Sequence, residues 1–105
     1  MNILENIPYS DKGLGRRKIL DEKHLFIMQI ALKPNQAVPQ HNANSNVNLL
    51  VLEGSISVEL NGVERFIRKG DLLPVKFKTP MLIKNNGDNN ASFLVIKTPN
   101  PTEMR

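Results

Sequence analysis

The sequence predicts a single all-β domain of the barrel or jelly-roll kind. Its 105 residues are enough for one domain with one hydrophobic core. No window of about ten residues has the sustained three-and-four apolar spacing that an amphipathic helix requires. Short runs of apolar and β-branched residues recur instead, separated by Gly, Pro and Asn, and this pattern is typical of an all-β protein.

The clearest predicted element is a β-hairpin. Residues 55–60 alternate polar and apolar side chains, and residues 63–68 return after Asn61-Gly62. Asn-Gly is the favoured pair for a two-residue turn in which both central φ values are positive. Such a turn pairs Ile56 with Ile67 on one face, so the turn chemistry and the hydrophobic pattern predict the same register.

The other predicted strands follow the same logic, and each ends at a turn signal. They cover residues 24–32, 48–53, 72–75, 81–84 and 92–97, with a short strand near Lys18-Ile19-Leu20. The run 48–53 is almost wholly apolar, as expected of a strand that is buried on both faces. The total is about eight strands, and eight antiparallel strands in a chain of this length suit a jelly-roll barrel.

The composition excludes several classes of protein. There is no cysteine, so the chain has neither disulfides nor a thiolate metal site. The first residues lack the basic segment and apolar run of a signal peptide. No apolar stretch approaches the ~20 residues of a membrane-spanning helix. We therefore expect a cytoplasmic protein without a membrane partner.

The net charge of +4 suggests nucleic-acid binding, but the distribution of the charges argues against it. Basic residues are interspersed with acidic ones, and the one basic cluster, residues 16–18, is followed by Asp21 and Glu22. The few aromatic residues do not form a basic stacking platform. We expect no nucleic-acid partner.

Several stretches, in order along the chain, resemble the cupin family. Residues 39–43 (PQHNA) and then 51–54 (VLEG) are similar to the first cupin motif, and residues 70–74 (GDLLP), 79–81 (TPM) and Asn85 are similar to the second. The predicted hairpin lies between them, where the family has its inter-motif hairpin. The resemblance covers roughly residues 24–97. It implies one small cupin-2-type domain over residues 1–105, with an RmlC-like jelly roll, or double-stranded β-helix, of about eight strands.

The resemblance also implies where a metal would bind. In metal-binding cupins the first motif supplies two His and a Glu, and the second supplies another His. In this sequence the four positions hold His41, Ala43, Val47 and Met81. Alkyl side chains cannot coordinate a metal, and a thioether suits Cu(I) better than Fe, Mn or Zn. We therefore expect no cofactor and no metal site, with His41 as the single weak candidate ligand.

The same replacements turn a polar cluster into an apolar wall. Val47 and Met81 would be joined in it by Leu49, Val51 and Ile83. Such a wall could line a small ligand pocket with few polar groups, or it could belong to a filled core. The sequence slightly favours the filled core.

Asparagine occupies every second position from Asn42 to Asn48. If this run is extended, its carboxamides share one face and can grip a polar ligand. If it is a loop, the asparagines serve its turns. Gln29 lies mid-strand, where an inward side chain offers a polar contact inside the barrel and an outward one is exposed. The candidate pocket residues are His41, Asn44, Asn46, Val47, Met81 and Gln29; no residue is a candidate for catalysis.

The hypothesis that accounts best for these features is a non-catalytic, metal-independent domain that binds a small molecule or regulates another protein. A second hypothesis is a metal-dependent cupin enzyme, of the isomerase or dioxygenase type, with atypical ligands such as Asn44, Gln40 or Gln29 beside His41. A third is a structural or protein-interaction domain. Because residues 49–52 are apolar on both sides, we also expect a homodimer.

Overall fold

A computed structural model of the chain describes residues 1–104. This part of the chain forms nine strands and one short 3-10 helix. They are β1 (Gly15–Glu22), β2 (Leu25–Leu32), β3 (Ala37–Asn42), β4 (Asn46–Glu53), β5 (Ser55–Leu60), β6 (Val63–Arg68), β7 (Leu72–Val75), β8 (Pro80–Lys84), β9 (Ala91–Thr98) and the helix Pro101–Met104. No helix among these residues is both long and apolar enough to span a membrane.

The strands form two antiparallel sheets that face each other as a jelly roll. One sheet has five strands in the order β1-β2-β9-β4-β7, and the other has four in the order β3-β8-β5-β6. The prediction of an all-β double-stranded β-helix is therefore confirmed. The hairpin of β5 and β6 also has the predicted register, with Ile56 opposite Ile67. Its turn has φ values of 51° at Asn61 and 80° at Gly62, as an Asn-Gly turn requires.

The strand that the sequence pattern missed is β3. It lies at the edge of the four-stranded sheet, and its last four residues are exposed. Its pairing with β8 shifts register between Val38 and His41, and Pro39 within that shift has no N–H to donate. An exposed, bulged edge strand lacks the polar–apolar alternation by which the other strands were predicted.

The core lies between the two sheets. Leu49, Val51, Ile56, Val58 and Phe93 point inward from both sheets and are each at most 2% exposed. On the outer face of β4, Leu50 and Leu52 are only half-buried. The apolar run in β4 therefore supplies one fully buried face and one partly covered face.

The turn between β4 and β5 requires glycine. Gly54 has a φ of 70°, in the left-handed region. A Cβ at this position would lie 2.4 Å from the carbonyl oxygen of Asn90, in the loop before β9. The absence of a side chain thus lets the first motif's turn pass directly against this loop.

Two side chains, Arg17 and Gln29, hold the N-terminal segment on the outer face of the five-stranded sheet. The Arg17 guanidinium donates to the carbonyl oxygens of Ile3, Glu5 and Asn6 and to Oε1 of Gln29. Gln29 Nε2 returns a hydrogen bond of 2.7 Å to the Ile3 carbonyl. We call residues 3–9, held in this way, the N-terminal strap.

The far end of the strap carries the one tyrosine of the chain. The Tyr9 hydroxyl lies 3.4 Å from a carboxylate oxygen of Glu53 and donates to it. Burial and this neighbouring negative charge both disfavour the phenolate, and they raise the pKa of Tyr9 to about 12. The contact joins the strap to the end of β4.

Candidate ligand-binding cavity

A cavity of about 390 Å³ lies between the two sheets. Strands β1, β2, β9 and β4 line one side, and β3 and β8 line the other. The volume lies within the range of about 300–1,000 Å³ that is usual for small-molecule sites. The sequence slightly favoured a filled core; Val47, Met81 and Ile83 do belong to the buried core cluster, and they also line this cavity. Leu49 and Val51 belong to the same cluster but do not line the cavity.

The four positions that hold metal ligands in metal-binding cupins come together on this cavity. His41, Ala43, Val47 and Met81 all line it. His41 is the register partner of Met81 across β3 and β8. Ala43, Val47 and Met81 are 2%, 2% and 3% exposed. The four residues that the resemblance assigns to the family's ligand positions therefore line one cavity.

The donor set at these positions does not fit a catalytic Fe, Mn or Zn ion. One imidazole, one methyl group, one isopropyl group and one thioether replace three imidazoles and a carboxylate. Within residues 1–104 no three His, Asp or Glu side chains gather as a potential metal site.

His41 itself is exposed, and its Nδ1 lies 3.0 Å from the Pro39 carbonyl oxygen. Since a carbonyl can only accept, this hydrogen bond requires the proton on Nδ1 and leaves Nε2 with the lone pair in the neutral ring. His41 can therefore offer an acceptor to a bound molecule, or a second donor when it is protonated.

The asparagine run is not one continuous strand. It crosses from the end of β3 through residues 43–45 to the start of β4, and its exposed or half-buried asparagines alternate with the buried Ala43, Ser45 and Val47. Asn44 lines the cavity. Asn46 does not: it is exposed, and its Oδ1 accepts from the Phe77 amide at 3.4 Å. Asn48 pairs with Pro74 and Ile96 between β7 and β9.

Gln29 also lies outside the cavity, in contrast to its selection as a pocket residue. Met28 and Ile30 line the cavity, and the alternation of β2 turns Gln29 to the opposite face. There it is fully buried beneath the N-terminal strap, and its Nε2 also donates to Ser92 Oγ at 3.1 Å. From the sequence, an outward-facing Gln29 was expected to be exposed. The strap buries it instead.

Two cations that line the cavity were missed by the sequence analysis. Arg16 reaches it from the edge strand β1, and Lys97 reaches it from β9. Lys97 is half-buried, its Nζ lies 5.5 Å from the centroid of the Phe26 ring, and burial lowers its pKa. Alternation along β9 could have identified Lys97, because it lies two positions after the inward-facing Val95 and four after the inward-facing Phe93. In the described chain the ionisable side chains around the cavity are Arg16, His41 and Lys97, and none is acidic.

Comparison with known proteins agrees with this geometry. No family model matches the chain. The uncharacterized protein MJ0764 of Methanocaldococcus jannaschii is 30% identical over 88 residues, which are 83% of this chain and 76% of that protein. Its crystal structure, that of an RmlC-like cupin family protein with a double-stranded β-helix fold, superimposes with a TM-score of 0.82 at 28% identity and covers 89% of this chain and 86% of the other.

More distant structures share the fold. TT1209 from Thermus thermophilus has a TM-score of 0.87 at 20% identity and covers 96% of this chain and 97% of its own. An uncharacterized double-stranded β-helix protein from Klebsiella pneumoniae has a TM-score of 0.85 at 18% identity, with 94% and 88% covered. The motifs, the two-sheet barrel and the relationship to MJ0764 agree, and the chain belongs to the RmlC-like cupin family.

Proposed function

We propose that this cupin is a non-catalytic, metal-independent domain that binds a small organic molecule inside its barrel. The observation that carries the proposal is the open cavity of about 390 Å³ at the family's site, where Ala43, Val47 and Met81 stand in place of metal ligands. Apolar walls with a few polar groups are the usual composition of a small-molecule site.

The groups around the cavity support binding more than catalysis. Arg16, His41 and Lys97 supply positive charge and hydrogen-bond donors, but no carboxylate among the described residues stands beside them as an acid–base partner. The nearby Ser45 hydroxyl donates to the Pro99 carbonyl at 2.5 Å, so it has no base that would activate it as a nucleophile.

Native mass spectrometry of freshly purified protein, followed by thermal-shift screening of small organic molecules, tests the proposal. We expect a bound mass or a ligand-induced rise in Tm. Ala43→Phe places a ring in the cavity and should abolish the response, whereas Val63→Phe, on an exposed outer position, should retain it. If neither a bound mass nor a thermal shift is found, or if Ala43→Phe responds like the unmodified protein, the proposal is refuted.

A metal-dependent enzyme is the second candidate, and one observation favours it. Gln40, His41 and Asn44 all line the cavity, so one imidazole and two carboxamides are available as atypical ligands; Gln29 is not among them. This candidate predicts one tightly held metal per chain that is lost in His41→Ala. Our proposal predicts no stoichiometric metal when protein purified without chelator is titrated with Fe, Mn, Zn, Ni and Cu and examined by elemental analysis.

We further propose that two copies associate through the outer face of the five-stranded sheet. Leu72 is 58% exposed there, and it pairs with the half-buried Leu50 of β4. An apolar surface of this kind is costly to leave in water, and a symmetric dimer would bury the same patch on both copies.

A further inference from the structure

The cavity contains a cation without a visible counter-charge. Lys97 is half-buried in the wall, and within residues 1–104 neither of the two ion pairs involves it. Burial is the cause of its lowered pKa, without any contribution from a neighbouring acid. By contrast, Lys18 and Lys33 are paired with Asp21 and Asp11. The ammonium of Lys97 thus loses part of its hydration without gaining an anionic partner.

The surroundings of Lys97 are apolar. It is flanked in register by Phe26 of β2 and Val47 of β4, and both of these residues line the cavity. The Phe26 ring, with its centroid 5.5 Å from Nζ, offers the cation a weak attraction. The other two ionisable groups around the cavity, Arg16 and His41, are basic or neutral. The potential inside the cavity is therefore positive, and it attracts anions.

We propose that the ligand is an amphipathic organic anion, namely a carboxylic acid whose carboxylate pairs with Lys97 and whose hydrocarbon part lies against the apolar wall. This inference rests on the proposed function and adds the chemical class of the ligand. Met28 and Val95, which are register partners on the inner face, supply the apolar surface next to Phe26. Burial removes part of the water around the Lys97 ammonium. The carboxylate would replace that water with a charged hydrogen-bond acceptor.

A single carboxylate fits better than a phosphate group. Recognition of a phosphate usually needs an Arg fork or a cluster of backbone N–H groups beside the cation. Arg16 lies opposite Ile30 and Lys97 lies opposite Phe26, so their backbone positions are four residues apart along β2, about 13 Å, on the strands at its two sides. One compact anion has Lys97 as its main partner.

Isothermal titration calorimetry with three matched probes tests the inference. Octanoate, 1-octanol and octylamine share one hydrocarbon chain and differ in charge, and all are used below their aggregation concentrations. We expect octanoate to bind about tenfold or more tighter than 1-octanol, the size of one charge-assisted hydrogen bond. We expect octylamine to bind more weakly than 1-octanol, because the cavity lacks an acidic group.

Variants at Lys97 locate the effect. Lys97→Met keeps the apolar stem and should weaken octanoate binding about tenfold while leaving 1-octanol unchanged. Lys97→Arg should retain the preference for octanoate. Lys84→Met, which removes an exposed lysine on the outer face of the other sheet, should change neither affinity. The unfolding midpoint of each variant shows that it is folded at the temperature of the titration.

The possible results separate this inference from the proposed function. If octanoate and 1-octanol bind equally well and Ala43→Phe blocks both, the cavity is a binding site but the anion inference is wrong. Octanoate binding that survives Lys97→Met at full strength also overturns the inference. If no probe binds and no mass co-purifies, the proposed function fails, and the ligand class fails with it.

Discussion

Replacing Arg17 with methionine should release the N-terminal strap and destabilise the whole domain. The substitution keeps the aliphatic stem but removes every hydrogen bond of the guanidinium. Two of these bonds, of 2.7 Å and 3.1 Å, go to Gln29 Oε1, on a side chain that is 0% exposed. The other three go to backbone carbonyls of the strap, which can turn to water once the strap is free.

The magnitude follows from the buried oxygen. A buried acceptor left without a donor costs about 1–3 kcal/mol, and hydrogen bonds from a charged donor contribute about 1.5–3 kcal/mol. We therefore expect Arg17→Met to lower the free energy of unfolding by about 2–3 kcal/mol. In a domain of this size each ~1 kcal/mol corresponds to about 4–8 °C in Tm. Gln29→Leu should cost less, because Arg17 keeps its carbonyl partners.

A double-mutant cycle isolates the interaction. Urea unfolding followed by circular dichroism, at one fixed protein concentration, gives the free energy for the native chain, both single variants and the double variant. The double variant should lose less free energy of unfolding than the two single losses added together, and the difference should be about 1 kcal/mol or more. Hydrogen exchange should accelerate in residues 3–9. Additive losses, or an Arg17→Met variant as stable as the native chain, would refute the assignment of Arg17 as the anchor of the strap.

Four further perturbations follow from the structure. Gly54→Ala should cost about 2 kcal/mol or more in urea unfolding, because its Cβ meets the facing loop; Gly62→Ala, where φ is also positive but nothing lies within 4 Å, should cost less, and equal losses would contradict this reasoning. Because the pKa of Tyr9 is raised to about 12, its stabilising contribution is complete below pH 10 and is lost as the pH rises from 10 to 12; a thermal-denaturation series should show this loss, and Tyr9→Phe should remove that component. Restoring the family's ligand set through A43H, V47E and M81H should create a metal site, seen as a rise in Tm with Ni²⁺ that the native chain does not show; no rise would mean that the four positions cannot share one ion. Leu72→Lys should yield a monomer by light scattering, whereas Val63→Lys, equally exposed on the other sheet, should not; an unchanged mass in Leu72→Lys would exclude the proposed dimer face.

The elements that the sequence predicts well are those whose local signals agree. In the hairpin, Asn61-Gly62 specifies the turn, and Ile56 and Ile67 independently specify the same register. Strand β3 was missed because its edge position and its bulge remove the alternation. The strands that pack beside an edge strand determine which of its residues are buried. The sequence of β3 alone does not contain this information.

The sequence predicted which residues come together at the candidate site, but not whether the space between them is open. The motif spacing placed His41, Ala43, Val47 and Met81 together, and all four meet at one cavity. Whether that space is open depends on the volumes of side chains from six strands, which no local pattern reports. Gln29 was misplaced because β2 carries apolar residues on both faces, so alternation could not identify the inner one.

Because Leu49, Val51, Ile56 and Val58 pack the core without lining the cavity, this chain is a scaffold in which recognition can change with little effect on folding. Ile83 and Phe93 belong both to the largest fully buried side chains and to the cavity wall. Substitutions at Met28 or Val38, which line the chamber and are only half-buried, alter its shape while the core residues that do not line it keep their contacts. A library confined to the chamber should therefore yield mostly folded proteins with new ligand preferences, whereas the same diversity placed around Leu49 and Val58 should yield mostly unfolded ones.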